Sequence, residues 1–306
     1  MAQATTLAGL RNMPGRAIVY MVSAAFLIII LDTAVKWLAR GGYSPFQIGF
    51  LRYVVGLGIS AGIATRAGGI GTLRTRRPGG HLLRSVLNLT TMLTFYYALE
   101  RLPLADCIAI GFASPLFTTA LSVPMLGEKV GSRRWLAVGF GFAGVLLVVQ
   151  PTTAGIGLGA GLALLSALCW SLTQVTSRQM STTEPSHTIL FYYSLAVVIA
   201  LGATMPRLWI EPHGLDWLWF LVCGVAGSFG QFCYNQAFRY GEASMVAPFD
   251  YTGLIWATIM GFIVFGDLPS WLVVSGASLI IASSVYIARR ETRLARLARL
   301  TAAGNP

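Results

Sequence analysis

Residues 17–38 read AIVYMVSAAFLIIILDTAVKWL, a run long and apolar enough to cross a bilayer as one helix. A helix that crosses the hydrocarbon core needs about 20 consecutive, mostly apolar residues. The run follows Arg11 and Arg16, as the apolar core of a signal peptide would, but no small-residue cleavage site ends it. It therefore predicts a first, uncleaved membrane span.

The composition of the whole chain has the same character. Of its 306 residues, 55% are hydrophobic and only 11% are charged, whereas a soluble domain carries roughly 25% charged residues. The net charge of +11 does not indicate nucleic-acid binding, because the Arg residues lie in short clusters between apolar runs. The four cysteines all fall inside apolar runs without the spacing of zinc ligands, so no metal or disulfide framework is predicted.

Nine further runs bring the prediction to ten transmembrane helices in an all-α integral membrane fold. The predicted spans cover residues 17–38, 46–66, 82–100, 104–125, 133–150, 157–177, 187–206, 216–238, 243–265 and 270–288. Glycine and proline clusters separate many of them. Several of these breaks are only a few residues long, so adjacent spans are expected to be antiparallel neighbours.

The placement of Lys and Arg predicts the orientation. With the N-terminus in the cytoplasm, the inside segments hold 17 of the 22 basic residues and the outside segments hold 4. Cytoplasmic loops carry the excess of basic residues in membrane proteins. Both termini are therefore predicted to be cytoplasmic, with residues 1–16 and the basic tail 289–306 inside. The tail either lies on the anionic leaflet or stays in solvent.

The chain repeats itself weakly, which predicts two related halves, residues 17–150 and 151–288. The stretch from Ala105 to Gly127-Glu128 resembles that from Ala243 to Gly266-Asp267. Other matched positions are Pro45 with Pro185 and Trp135 with Trp271. Because each half has an odd number of spans, the second inserts upside down relative to the first. Such inverted five-helix repeats are common in secondary transporters, whose substrate site lies near the midplane between the halves.

The matched stretches resemble a known family. Leu126-Gly127-Glu128 and Phe265-Gly266-Asp267, each followed by a tryptophan, are similar to the EamA-type repeats of the drug/metabolite transporter superfamily. Arg52 matches the arginine of the family's second span, and Tyr240-Gly241-Glu242-Ala243-Ser244 is similar to YddG-like amino-acid and metabolite exporters. The resemblance covers roughly residues 17–288. It implies ten helices, alternating access, and a cavity lined by the first, third, fourth, sixth, eighth and ninth spans.

Polar and aromatic side chains inside these spans are the candidate substrate-binding residues. Polar groups within a bilayer normally face a cavity or a partner, because exposing them to lipid costs free energy. Many recur at three- and four-residue spacing, on one face of a helix. The candidates are Asn88, Thr91, Phe95, Trp170, Gln174, Gln231, Asn235 and Tyr251. Hydrogen bonding between helices, worth about 0.6 kcal/mol on average, is the alternative role.

Two carboxylates, Asp32 and Asp250, are predicted to lie deep in the membrane as coupling or charge sites. Asp32 has Lys36 one turn later, in the order that favours an ion pair within one helix. Asp250 has no basic neighbour within a turn, so it is the better candidate for binding a substrate amine or a proton. Arg52 either holds a partner helix or binds a substrate carboxylate.

Pro115 and Pro248 lie in corresponding spans of the two halves and are candidate hinges, although static kinks explain them equally well. Proline removes one helical hydrogen bond and bends the helix.

No catalytic, metal-binding or cofactor-binding constellation stands out in the sequence. The glycine-rich segment 155–161 opens a membrane helix and follows no strand, so a nucleotide loop is not indicated. The predicted function is a secondary transporter, monomeric or homodimeric, that exports small metabolites, foremost amino acids. The alternatives are transport of nucleosides, vitamins or sugars, and an intramembrane enzyme acting on lipid or prenyl substrates. The enzyme would have only the scattered His81, His187 and His213 to draw on.

Reporter fusions test the predicted topology. Fusions after Arg77 and after Arg290 are expected to report cytoplasm, and a fusion after Pro212 the exterior, because basic segments stay inside. Paired alkaline phosphatase and fluorescent-protein activities in cells provide the measurement. An exterior signal at Arg290 would contradict an even number of spans.

Overall fold

The computed structural model describes residues 14–66, 78–126, 131–151, 156–180, 186–240, 246 and 249–303. Within these residues every secondary-structure element is a helix. The elements are α1 (Pro14–Arg40), α2 (Pro45–Arg66), α3 (Pro78–Arg101), α4 (Leu104–Gly111), α5 (Ser114–Leu126), α6 (Ser132–Val149), α7 (Leu158–Met180), α8 (Ser186–Gly202), α9 (Met205–Leu208), α10 (Asp216–Tyr240), α11 (Thr252–Met260), a π-helical turn (Gly261–Phe265) and α12 (Trp271–Ala303).

Several of these helices have the length and composition of membrane spans. Four stretches of the described chain are long and apolar enough to cross a bilayer: Gly15–Arg40, Leu104–Leu121, Leu158–Thr176 and Asp216–Tyr240. Shorter apolar helices occupy Pro45–Ile59, Trp135–Val149, Phe191–Gly202, Thr252–Phe265 and Trp271–Ile287. The chain is therefore an all-α, multi-pass membrane protein.

Most predicted spans coincide with helices to within a few residues, and the clearest difference lies in the fourth. The span expected at residues 104–125 is two helices, α4 and α5, separated at Phe112 and Ala113. Pro115 has no N–H to donate to the Gly111 carbonyl, so one helical hydrogen bond is missing at the break. The Ala113 N–H donates to the carbonyl of Ile110, three residues earlier, at 2.9 Å, so the last turn before the break is tighter than an α-helix. At the other end of the chain, α12 continues to Ala303, so the basic tail from residue 289 begins as helix.

Helix α1 packs more extensively against α10 than against any other described helix. Trp37 stacks on Trp219 near one end, with 5.5 Å between ring centroids, and Tyr20 stacks on Tyr240 near the other, at 5.6 Å. Between these contacts Gly230 lies against α1, where an added Cβ would stand 3.1 Å from Ile28. The two helices therefore run antiparallel and in close contact.

Helices α3 and α7 form a similar pair. The Ser166 hydroxyl of α7 donates to the Thr91 carbonyl of α3 at 3.0 Å. Further along, Gly159 lies against Leu102, with only 2.9 Å between an added Cβ and the leucine Cγ. These two helices are antiparallel as well.

Helices α2 and α8 bring together two tyrosines that stand at equal distances from the matched prolines of the predicted repeat. Tyr53 follows Pro45 by eight residues, and Tyr193 follows Pro185 by eight. Their rings meet edge to face, with centroids 5.5 Å apart. An equivalent pair of residues can meet in this way when a twofold relation between the halves passes close to both.

Helices α6 and α12, which correspond to the last span of each predicted half, cross at two glycines. A Cβ added to Gly144 or to Gly276 would stand 2.6 Å from the other residue's carbonyl oxygen, so any larger residue would push the backbones apart. Away from this crossing, the Ser283 hydroxyl donates to the Ala137 carbonyl. The order of these contacts makes α6 and α12 antiparallel.

The connection between α8 and α10 is held against the start of α2. The buried Gln47 amide accepts a hydrogen bond from the Ile210 N–H at 3.0 Å and donates to the Ile210 carbonyl at 2.6 Å. The Tyr43 hydroxyl, in the turn before α2, donates to Asp216 at 2.6 Å, and this bond raises the pKa of Tyr43 above its ordinary value.

A buried cation joins the ends of several elements. Lys36, only 1% exposed, donates to the Leu102 carbonyl and to Asp267 Oδ2, the latter at 3.3 Å. Arg40 reaches the same carboxylate oxygen at 3.4 Å. Both cations also lie over the Phe265 ring, 5.1 and 4.6 Å from its centroid. This cluster ties α1 to the α3–α4 turn and to the turn before α12.

The prediction of an ion pair between Asp32 and Lys36 was wrong. Lys36 pairs with Asp267, whose turn follows Gly266 at a φ of +70°, a left-handed conformation that glycine adopts readily. Asp32 instead interacts electrostatically with Arg52. Spacing along one helix could not reveal a partner supplied by a turn more than two hundred residues away.

The contribution of the Lys36 cluster to stability can be tested by substitution of Asp267. Asp267→Ala is expected to lower the melting temperature clearly, because it leaves a buried ammonium without its carboxylate, and breaking such a pair costs about 3–5 kcal/mol. The partial exposure of Asp267 puts this loss at or below the low end of that range. The double variant Lys36→Met with Asp267→Asn should recover part of the loss, since it removes both charges of the pair, while the Asp106 carboxyl that also interacts with Lys36 remains.

Melting temperatures of the purified protein provide the measurement. Glu100→Ala is the control, because it breaks the exposed pair with Arg101, and an exposed pair contributes little. This account would be contradicted if the double variant were as unstable as the sum of the losses measured for Lys36→Met and Asp267→Asn separately.

Candidate functional site

Two helix interruptions face each other in the interior. The break between α4 and α5 lies at Phe112, and α11 begins after a turn at Tyr251. The two rings meet edge to face at 4.9 Å, and the residues stand seven and eight positions after the matched starts Ala105 and Ala243. Interrupted helices expose backbone carbonyls that continuous helices keep bonded, and transporters use such breaks at substrate sites.

The predicted hinge residues relate to these breaks. Pro115 is exposed and lies at the second position of α5, directly after the first break. Proline fits this position because the first residues of a helix have no partner for their N–H groups. Pro248 lies outside the described residues. The hinge role of both prolines stays a prediction.

Arg52 is the centre of the most connected polar group in the interior. Its Nη1 donates to the Tyr96 hydroxyl of α3 at 2.7 Å, and its guanidinium lies 5.0 Å from the centroid of Tyr53. Tyr53 in turn contacts Tyr193 of α8. On α10, Gly227 leaves room for the guanidinium, since an added Cβ would stand 3.0 Å from Nε. One side chain of α2 thus contacts α3 and α10 and is joined to α8.

Two further charges border this group. Asp32 of α1 is 5% exposed and interacts electrostatically with Arg52. Arg84 of α3 lies 5.4 Å from the Tyr193 ring, on which it packs. A lone charge at the bilayer centre costs roughly 2.5–3.5 kcal/mol on insertion scales, so opposite charges placed together lower that cost. The interior therefore holds two guanidiniums and a carboxylate among tyrosine rings.

The tyrosines around Arg52 were missed by the sequence analysis, which named only the arginine. A signal for two of them existed, since Tyr53 and Tyr193 stand at the same distance from the matched prolines Pro45 and Pro185. No comparable signal pointed to Tyr96 or to the glycine of α10 that accommodates the guanidinium.

The polar candidates on α3 donate their hydrogen bonds to carbonyls of their own helix. Asn88 is buried, and its amide donates to the Arg84 carbonyl at 3.1 Å. The Thr91 hydroxyl donates to the Leu87 carbonyl at 2.8 Å. Phe95 packs against the apolar core. At the Thr91 carbonyl, which accepts from α7, the structure shows the interhelical hydrogen bonding that the sequence left open as the alternative.

The candidates on α7, Trp170 and Gln174, are half-buried. Ser166, which bonds the Thr91 carbonyl, fixes the register of α7 against α3. Trp170 lies four residues after Ser166, and Asn88 lies three residues before Thr91. Because α3 and α7 are antiparallel, these two residues stand at about the same level, one turn from the Ser166–Thr91 bond. The structure thus brings these two candidates to the same depth of the bundle.

The candidates on α10 and α11 form a second group. Gln231 donates to Asn235 of the same helix at 3.2 Å, and Asn235 is exposed. Asp250 is half-buried and interacts electrostatically with Tyr234 and Tyr251. Asp250 and Asp32 therefore belong to different groups, one between α10 and α11 and the other around Arg52.

The chemistry available in these groups suits reversible binding. Aromatic rings, amides and one guanidinium–carboxylate combination can hold a small molecule through stacking, hydrogen bonds and charge. In the described part of the chain, no group of three His, Cys, Asp or Glu side chains is placed to hold a metal ion.

Known proteins resemble this chain over about three quarters of its length or more. A riboflavin transporter of Rhizobium johnstonii is 30% identical over 92% of this chain and 95% of its own. An S-adenosylmethionine uptake transporter of Rickettsia prowazekii is 28% identical, covering 74% of this chain and 76% of that protein. A pseudopaline exporter of Pseudomonas aeruginosa is 26% identical, covering 88% and 95%.

A protein of known crystal structure shares the fold, with a TM-score of 0.62 over 90% of this chain and 98% of its own length at 19% identity. The sequence profile of the EamA-like transporter family matches twice, at residues 15–150 and 157–289. Two matches that together span most of the chain show that it belongs to the EamA-like transporter family, within the drug/metabolite transporter superfamily.

Proposed function

We propose that this protein is a secondary transporter that moves a small organic metabolite across the bacterial inner membrane by alternating access. It does so between two inverted five-helix halves, with both termini in the cytoplasm. The observation that carries the proposal is the contact between equivalent residues of antiparallel helices, above all Tyr53 with Tyr193. A contact of this kind supports a twofold relation in the membrane plane, the arrangement that lets one half rock against the other.

The pattern of helix pairs adds support. The α1–α10 pair joins the first and eighth predicted spans, and the α3–α7 pair joins the third and sixth. Exchanging the two halves converts one of these pairs into the other. The α2–α8 and α6–α12 pairs, which join second with seventh and fifth with tenth spans, are converted into themselves. The pairing is thus unchanged by exchange of the halves.

Membership of a transporter family excludes the intramembrane enzyme that the sequence left as an alternative. The substrate that we propose is a metabolite with a flat, nitrogen-containing aromatic ring. Riboflavin and S-adenosylmethionine, the substrates named for two relatives, both carry such a ring. In this chain, Tyr53, Tyr193 and Trp170 provide aromatic surfaces at least partly buried in the bundle.

Export of amino acids, the expectation from the sequence, is the second candidate. The charges of Asp32 and Arg52 are opposite and adjacent, which suits the ammonium and carboxylate of a zwitterion. The pseudopaline exporter among the relatives supports the outward direction. Asp32 and Asp250 stay candidate coupling sites under either substrate class.

Binding and transport by the purified protein test the function. We expect riboflavin or S-adenosylmethionine to raise the melting temperature and to be carried into protein-containing liposomes, because a ligand that binds only the folded state stabilises it. Empty liposomes are the control. If only amino acids raise the melting temperature and are taken up, the second candidate would replace the ring-bearing substrate. If no tested metabolite is taken up, both candidates would be contradicted.

Trp170 tests the aromatic surface. Trp170→Ala is expected to weaken binding of the ring-bearing ligand about tenfold, since stacking of a nitrogen heterocycle on an aromatic side chain contributes about 1–3 kcal/mol. Trp170→Phe, which keeps a ring, should retain most of the affinity. Dissociation constants of the two variants provide the comparison. Equal affinity in Trp170→Ala and the unsubstituted protein would place the ring elsewhere.

A further inference from the structure

The guanidinium of Arg52 has one edge in use and one edge open. A guanidinium carries five N–H donors in a fixed planar fork, and Nη1 donates to the Tyr96 hydroxyl. Among the residues that the structure describes, no acceptor bonds Nε or Nη2. Neither nitrogen is a fully buried atom without a partner, and the side chain as a whole is partly exposed. The unused edge therefore borders accessible space.

Gly227 of α10 forms the wall beside that edge. A Cβ at this position would stand 3.0 Å from Nε and 3.4 Å from Nη2. Both distances involve the two nitrogens for which the described residues provide no acceptor. The absence of a side chain at residue 227 thus leaves the unused edge without a side chain against it on the α10 side, where Leu31 Cδ2 also lies 3.4 Å from the added Cβ.

The direction of the edge is fixed by its surroundings. The guanidinium lies over the Tyr53 ring at 5.0 Å, and Nη1 is held by Tyr96. Stacking and the hydrogen bond together restrain a side chain that would otherwise lose rotamer entropy on binding a ligand. Arg52 is therefore preorganised to donate two parallel hydrogen bonds, a geometry that lysine cannot reproduce.

The charges around the edge bear on what it binds. Asp32, almost fully buried, interacts with Arg52, and Arg84 packs on the neighbouring Tyr193, so two guanidiniums and one carboxylate already share this interior. A neutral planar group with carbonyl oxygens accepts the two hydrogen bonds and brings no further charge into the low-dielectric interior. Tyr53, buried against the guanidinium, and the half-buried Tyr193 make the surroundings of the edge aromatic.

We infer that the Nε–Nη2 edge of Arg52, kept open by Gly227, is a specificity-determining subsite that binds the carbonyl edge of a neutral nitrogen heterocycle. This inference rests on the proposed ring-bearing substrate and names the part of the ring to which the protein hydrogen-bonds. It also assigns Gly227 a role in ligand access rather than in helix packing alone.

Riboflavin is a suitable probe, because its ring carries carbonyl oxygens and its fluorescence reports binding. Arg52→Lys is expected to weaken binding at least about tenfold, because hydrogen bonds to a charged group contribute about 1.5–3 kcal/mol. Gly227→Ala should cause a comparable loss with Arg52 intact, since its methyl group fills the space before the edge. If Arg52→Lys fails to fold, Gly227→Ala alone carries the test.

Gly230→Ala is the matched control. It adds the same methyl group to the same helix at a similarly close contact, 3.1 Å from Ile28, but away from Arg52. It is expected to change the melting temperature about as much as Gly227→Ala while leaving the affinity for riboflavin within about twofold. Parallel loss of affinity in both glycine variants would reduce Gly227 to a packing residue and overturn the inference.

The remaining outcomes separate this inference from the proposed function. Wild-type binding of riboflavin that persists unchanged in Arg52→Lys and Gly227→Ala would overturn the subsite and leave the proposed substrate class standing. Absence of wild-type binding to riboflavin, with clear binding of amino acids that Arg52→Lys abolishes, would overturn both, because the edge would then bind a carboxylate.

Discussion

The burial of one guanidinium inside an apolar bundle is the constraint on which the rest of the interior depends. Arg52 cannot deprotonate, so the surrounding helices must supply its acceptors and its compensating charge. They do so from α1 with Asp32 and from α3 with Tyr96, while α10 makes room with Gly227. Three helices from both halves of the chain are thus held around a single side chain of α2.

Close packing between antiparallel helices is the second determinant of this architecture. Lipid tails are as apolar as the side chains, so burial of apolar surface drives helix association weakly and close backbone contact has to contribute. The Gly144–Gly276 crossing and the fit of Gly230 against α1 are contacts of this kind. They leave polar groups to define the interior, and most polar groups bond within their own helix or to the adjacent one.

The two charged clusters of the described chain differ in what they leave available. The Lys36 ammonium is almost fully buried, donates to Asp267 and to the Leu102 carbonyl, and lies over the Phe265 ring. The partly exposed Arg52 guanidinium has one edge that no described residue bonds. A buried and bonded cation at the end of a helix stabilises the fold, whereas a partly exposed one with an unused edge is able to bind a ligand, and this difference assigns the two groups to different roles.

The sequence by itself determined the membrane class, most helix boundaries to within a few residues, and the family, because apolar runs, basic clusters and matched turn motifs are local features with strong physical consequences. It also indicated Arg52 as a charge within the second span. Only the tertiary structure decided the partners: Asp267 for Lys36, Tyr96 and Gly227 for Arg52, and a helix break at Phe112. Such partners are set by the register of antiparallel helices, and a shift of one residue turns a side chain by about 100° around its helix, so no local pattern specifies them.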